Sequence, residues 1–163
     1  MAGDPMRQNG QAGFTLIEGM LAAVILATGL LALAGMQAFS LGRNVDAKEL
    51  TIVTNLAADM IERIRFNRLQ AATYANIDTD VPTTCNAATM QVMALGDCTQ
   101  WAALVNASNL PNVMGLVVVA PSGPAALSQT LVVVRINWTG AARGEGIVAR
   151  NKTIAMSAIV GPE

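Results

Sequence analysis

The sequence predicts an α+β fold in which a long N-terminal helix, half membrane-spanning and half amphipathic, packs on a small antiparallel β-sheet head. Three observations carry that prediction. Residues 14–42 form an almost unbroken apolar run, residues 43–69 carry an apolar stripe at helical spacing, and three β-rich runs separated by turn residues follow Pro111.

The first run reads FTLIEGMLAAVILATGLLALAGMQAFSLG, without proline or basic residue and with Glu18 as its only charge. A spanning helix needs about 20 apolar residues, each rising about 1.5 Å, to cross about 30 Å of hydrocarbon. The run is long enough. A cleaved secretory signal ending at Ala32-Leu33-Ala34 competes with this reading, but its apolar stretch would be unusually long and would carry an acid near its start. No cysteine lies nearby for lipid attachment. An acid inside hydrocarbon costs on the order of 3 kcal/mol, so Glu18 either reaches back to the interface or is paired. The segment supplies no partner of its own, which points to a cation on another chain. Gly19, Gly29, Gly35 and Gly42 lower helix propensity in water but permit close helix approach in a membrane.

Composition narrows the function. Hydrophobic residues make up 53% of the chain and charged residues 13%, against roughly 25% charged in an average soluble domain. With a net charge of -1 and few aromatics, the chain offers neither a basic field for phosphates nor a stacking platform, so nucleic acid is not an expected partner. Histidine is absent, which removes the usual general base and the commonest metal ligand. Cys85 and Cys98 are not spaced as CxxC and cannot complete a four-ligand zinc site alone. They are either a disulfide or two buried thiols. No catalytic, cofactor-binding or metal-ligating residue is assigned, and no cofactor is expected.

Beyond Gly42 the pattern becomes amphipathic, with Val53, Leu56, Met60 and Ile64 on one helical face. Asp59 with Arg63 and Glu62 with Arg65 are opposite charges at helical spacing, each pair worth a few tenths of a kcal/mol. The charged residues read as a solvated face, and the helix is expected to end near Leu69. Between Gln70 and Pro111, Gly96 reads as a helix stop. Asp97, three residues before Gln100, reads as the start of a short helix that buries Trp101 and ends near Asn106. The β-rich runs are Val113 to Ala120, Gln129 to Trp138, and about Ile147 to Val160. Pro121-Ser122-Gly123-Pro124 separates the first two, and Gly140, Gly144 and Gly146 separate the last two. In the middle run Val132, Val134, Ile136 and Trp138 share one face, Arg135 and Asn137 the other. An antiparallel meander on the long helix follows.

Gly13-Phe14-Thr15-Leu16-Ile17-Glu18, followed by the apolar run, resembles the cleavage motif of type IV prepilins and type II secretion pseudopilins. The resemblance implies a pilin fold and a division into a leader at 1–13, a transmembrane and polymerisation helix at 14–42, its amphipathic continuation at 43–69, and a periplasmic head at 70–163. It implies that a prepilin peptidase cuts between Gly13 and Phe14 and methylates the new amine of Phe14. Glu18 becomes the fifth residue of the mature chain, where the family's glutamate pairs with the N-terminal amine of a neighbouring subunit. Family leaders are short and basic, so Met6 is expected as the true start, with Arg7 the only charged side chain of the remaining leader.

Asp59, Met60, Arg63, Ile64, Arg65, Asn67 and Arg68 resemble the D-M-x-x-R-[MI]-R-x-N-R stretch of PilV-type minor pilins, as do Trp101 and Leu110-Pro111. The resemblance implies a non-enzymatic inner-membrane subunit that joins other minor and major pilins, primes pilus assembly and has a place at the fibre tip, where a tip adhesin is a further partner. In an oxidising periplasm Cys85 and Cys98 are expected to pair, closing a loop of about 14 residues worth roughly 3 kcal/mol. A minor pseudopilin of type II secretion is the first alternative. A periplasmic enzyme held by one helix is the second, and it lacks a nucleophile-base constellation.

Overall fold

The computed structural model describes residues 14–124, 128–140 and 149–161. With no proline between Phe14 and Val81 and with alanine, leucine and methionine in abundance, the chain forms one helix, α1, over Leu16–Phe66. The chain divides between Gly42 and Arg43 into two units, and α1 contributes to both. In the first unit every large apolar side chain from Leu16 to Leu41 is exposed, and the helix is long and apolar enough to cross a membrane.

In the second unit α1 buries Glu49, Val53, Ala57, Met60, Ile61 and Ile64 along one stripe. The helix stops at Phe66, three residues short of the expected end. Asn67 leaves helical geometry, and a 3-10 helix at Arg68–Tyr74 turns the chain inward, which buries Ala71 and Tyr74. Burial of those two side chains outweighs one more turn of exposed helix.

A second helix, α2, spans Val92–Asn106 and corrects the reading of Gly96 and Asp97. Gly96 is not a stop and Asp97 is not a cap; both lie inside the helix. Ala94, Cys98, Trp101 and Val105 are its buried positions, spaced to bury one helical face. That packing overrides the roughly 1 kcal/mol that glycine costs in a helix. Trp101 is fully buried, and its indole N–H donates to the Leu56 carbonyl of α1 at 2.8 Å.

The three strands are β1 (Met114–Ser122), β2 (Gln129–Thr139) and β3 (Asn151–Val160), an antiparallel meander in the order β1-β2-β3. The α+β architecture is the one the sequence predicts. β1 runs through Pro121, beyond its expected end at Ala120. Val117 donates to Ile77 and accepts from Asn76, so odd-numbered β1 residues turn their amides away from β2. Proline at 121 therefore removes no ladder bond. The turn comes later, at Gly123, whose φ of 72° suits glycine. The start of the third run at Ile147, with Gly144 and Gly146, lies outside the described residues.

Val132, Val134, Ile136 and Trp138 form the buried face of β2, flanked in register by Val117 and Val119 on one side and by Ile154, Met156 and Ala158 on the other. Gly115 sits against the Trp101 ring so closely that a Cβ there would overlap ring carbons. Gly115→Ala is accordingly expected to cost about 1–3 kcal/mol through overpacking, read by denaturant unfolding of the full-length chain in detergent. In a Trp101→Leu background the same change should cost much less; equal costs in both backgrounds would refute the contact.

Candidate functional site

At the start of α1, Thr15 and Glu18 form a capping arrangement. The Thr15 amide and hydroxyl both donate to Glu18 Oε2, at 3.4 and 3.3 Å, long bonds of the kind that exchange readily. This corrects the expectation that the segment holds no partner for Glu18. Phe14 is exposed, and its ring lies 3.4 Å from where a Cβ on Gly19 would stand. Gly13 lies outside the described residues.

In the second unit the residues read as a solvated face form a network instead. Arg63 Nε donates to Asp59 at 2.8 Å, and its Nη1 donates to Asp97 at 3.2 Å and Gln100 at 3.1 Å, both on α2. Tyr74 donates its hydroxyl to the other Asp97 oxygen at 2.6 Å, while the Asn67 amide donates to the Tyr74 oxygen and to Gln91. Asp97 is thus the hub that ties α2 to the end of α1 and to the 3-10 helix. Only Glu62 with Arg65 is the exposed pair expected. Burial disfavours the Arg63 charge, but hydrogen bonds and charges from Asp59 and Asp97 outweigh it and raise its pKa. Burial, helped by the bond to Asp97, pushes the Tyr74 phenol up to about 12.

A second cluster has no precedent in the sequence reading. Glu49 is buried on the apolar stripe of α1. It accepts from the Trp138 indole at 3.1 Å and from Lys152 Nζ at 2.8 Å, and Lys152 also reaches Asp46 at 2.8 Å. Hydrogen bonds to Asp46 and then Glu49 raise the Lys152 pKa. A Cβ on Gly140 would overlap the Lys152 stem, so that glycine makes room for it. The signals were present: Glu49 precedes Val53 by one turn, and Lys152 falls on the inward parity of β3.

Cys85 and Cys98 form a disulfide. Cys98 is fully buried, and the bridge ties the chain after the 3-10 turn at Pro82–Thr84 to the inner face of α2. Among the described residues no three metal-ligating side chains gather.

The decisive feature is therefore the N-terminal segment, an exposed apolar helix with a carboxylate one turn inside it. Residues 8–34 match the family model of the prokaryotic N-terminal methylation motif. That motif marks type IV pilin-like and pseudopilin precursors, and it implies prepilin peptidase processing and assembly with other pilins. The exposed apolar helix fits membrane anchoring. No curated protein and no solved structure matches the chain.

Tyr74 is the only tyrosine, so its ionisation can be followed alone. Because its folded pKa is raised, the stabilisation it reports is complete below the ordinary phenol value near 10 and is lost as pH rises toward 12. Phenolate absorbance of the folded chain should titrate near 12, falling to near 10 in denaturant. Asp97→Asn should lower the folded midpoint, and an unchanged midpoint in that variant would remove Asp97 as its partner.

Proposed function

We propose that this chain is a minor pilin of a type IV pilus, most similar to the PilV type, a structural and non-enzymatic subunit that helps prime assembly and takes a place near the fibre tip. The observation that carries the reading is the methylation motif at residues 8–34 running into the exposed apolar stretch of α1 at residues 16–42, whose only charge is Glu18. The disulfide-bonded head supports it, since paired cysteines persist in an oxidising periplasm.

On this reading the peptidase cuts between Gly13 and Phe14, leaves the anchor attached and methylates the Phe14 amine. The chain then sits in the inner membrane with its head in the periplasm until it is drawn into the fibre with other minor and major pilins. The Glu18 carboxylate, held before assembly by neutral Thr15 groups, exchanges them for the ammonium of a neighbouring subunit. A charge-assisted bond is shorter and about twice as strong as a neutral one. In the low-dielectric filament interior the ion pair fixes register between subunits. A tip adhesin and lipid complete the partners.

The same motif serves a minor pseudopilin of type II secretion. Deleting the gene separates the two, since loss of piliation supports the pilus reading and loss of protein secretion the rival.

Two variants test the mechanism. Gly13→Val should leave the precursor unprocessed on a gel in cells that hold the peptidase, because a side chain intrudes where the enzyme approaches the backbone; wild-type processing would move the cleavage site. Glu18→Leu should insert normally, its transfer eased by on the order of 3 kcal/mol, and should be processed, yet fail to co-purify with other minor pilins. A processed Glu18→Leu chain that assembles at wild-type yield would leave Glu18 a residue that merely reaches the interface.

A further inference from the structure

The outer face of the sheet changes character along its length. Toward one end its cross-strand rows are Leu116-Arg135-Ala155, Val118-Val133-Ser157 and Ala120-Leu131-Ile159, which are mostly apolar. At the other end they are Met114-Asn137-Thr153 and the pair Thr139-Asn151. A groove of about 580 Å³ opens there, with Asp80 and Asn112 on its β1 side and Asn137, Thr139, Asn151 and Thr153 on its β2 and β3 side. That volume lies within the range of ligand sites. Asparagine is poorly suited to strands, yet it stands in valine-rich β2 at 137 and opens β3 at 151. Departures from local preference of this kind fall at sites kept for function.

The groove's side chains hold one another in place. The Asn112 amide donates to Thr139 Oγ1 at 3.2 Å, the Thr139 hydroxyl donates to Asn151 Oδ1 at 3.2 Å, and the Thr153 hydroxyl donates to Asn137 Oδ1 at 2.7 Å. Among the described residues, these bonds leave the amide nitrogens of Asn137 and Asn151 as open donors, and Asn112 Oδ1 and the Asp80 carboxylate as open acceptors. Open acceptors therefore line one wall and open donors the other.

We infer that this groove binds a neutral saccharide. A ligand that spans it must donate to one wall and accept from the other, and a hydroxyl group does both. No lysine or arginine lines the groove, and Asp80 repels anions, so phosphorylated, sulfated and sialylated ligands do not fit. A single carboxylate among neutral amides does not make a divalent cation site, and no three acids gather among the described residues. An apolar ligand would strip water from these polar groups and leave them unpaired. An added peptide strand bonds to a free strand edge, whereas Asn137 lies on the central strand with both neighbours paired. Val113 and Met114 supply apolar contact for the C–H face of a sugar ring. The inference does not depend on which filament the chain serves.

The test uses the purified full-length chain in a zwitterionic detergent, which has no sugar headgroup, on a printed array of neutral hexose, N-acetylhexosamine and deoxyhexose oligosaccharides with their sialylated and sulfated counterparts. Retention of one or more neutral glycans is expected. Titrating a retained glycan into chain labelled with ¹⁵N-asparagine should shift the Asn137 and Asn151 side-chain amide signals saturably. Asp80→Ala and Asn151→Ala should each weaken binding roughly tenfold, and because the Asp80 carboxylate bonds to nothing in the head, its variant should keep the wild-type unfolding midpoint. Val118→Thr, two rows away on the same face, should bind as wild type does. No neutral glycan retained, preference for the acidic counterparts, amide signals that do not move, affinity indifferent to Asp80→Ala, or an equal loss in Val118→Thr would each overturn the proposal.

Discussion

The head is organised by the burial of one stripe of α1, from Glu49 to Ile64, against the inner face of the sheet. Fully burying a valine, methionine or isoleucine is worth about 1.5–3 kcal/mol, and Val53, Met60 and Ile64 are completely enclosed. Without that stripe, a three-stranded meander and a fifteen-residue α2 would expose their apolar faces to water. The sheet's alternation, the position of α2 and the fully buried Trp101 all follow from the need to cover one side of one helix.

Apolar burial alone is permissive about how far a helix slides, so the polar contacts matter for register. They recur along α1 at Glu49, at the Leu56 carbonyl and at Arg63, two helical turns apart each time. Glu49 is met from the sheet by Trp138 and Lys152, while Leu56 and Arg63 are both met from α2, by Trp101 and by Asp97 with Gln100. A slide by one turn would strand a buried carboxylate and an indole N–H together, a cost of several kcal/mol. The disulfide adds a covalent tie between the chain ahead of α2 and the inner face of that helix.

The first part of α1 obeys other physics. Its apolar side chains from Leu16 to Leu41 are exposed, a surface that water would not tolerate and that lipid or packed neighbouring helices would satisfy. Within it only Glu18 is charged, held by long bonds to Thr15. In the head, residues 76–79 bond along part of the outer edge of β1, while among the described residues no segment pairs with the outer edge of β3.

What the sequence determined alone is what periodicity and composition encode. The apolar run, the amphipathic continuation, the three alternating strands and the inward face of β2 were all legible, because each depends on neighbours within a few residues. The motif around Gly13 and Glu18 was legible for the same reason. Long-range pairing was not. Asp97 read as a local cap, since three residues of sequence suggested it; its actual partners, Arg63 and Tyr74, are more than twenty residues away. Glu49 and Lys152 drew no reading from their local sequence, yet they meet across about a hundred residues because the meander brings the start of β3 over α1. Gly115 carried no signal of its own. Only the folded core, by setting the Trp101 ring on that strand, decided that no side chain could stand there.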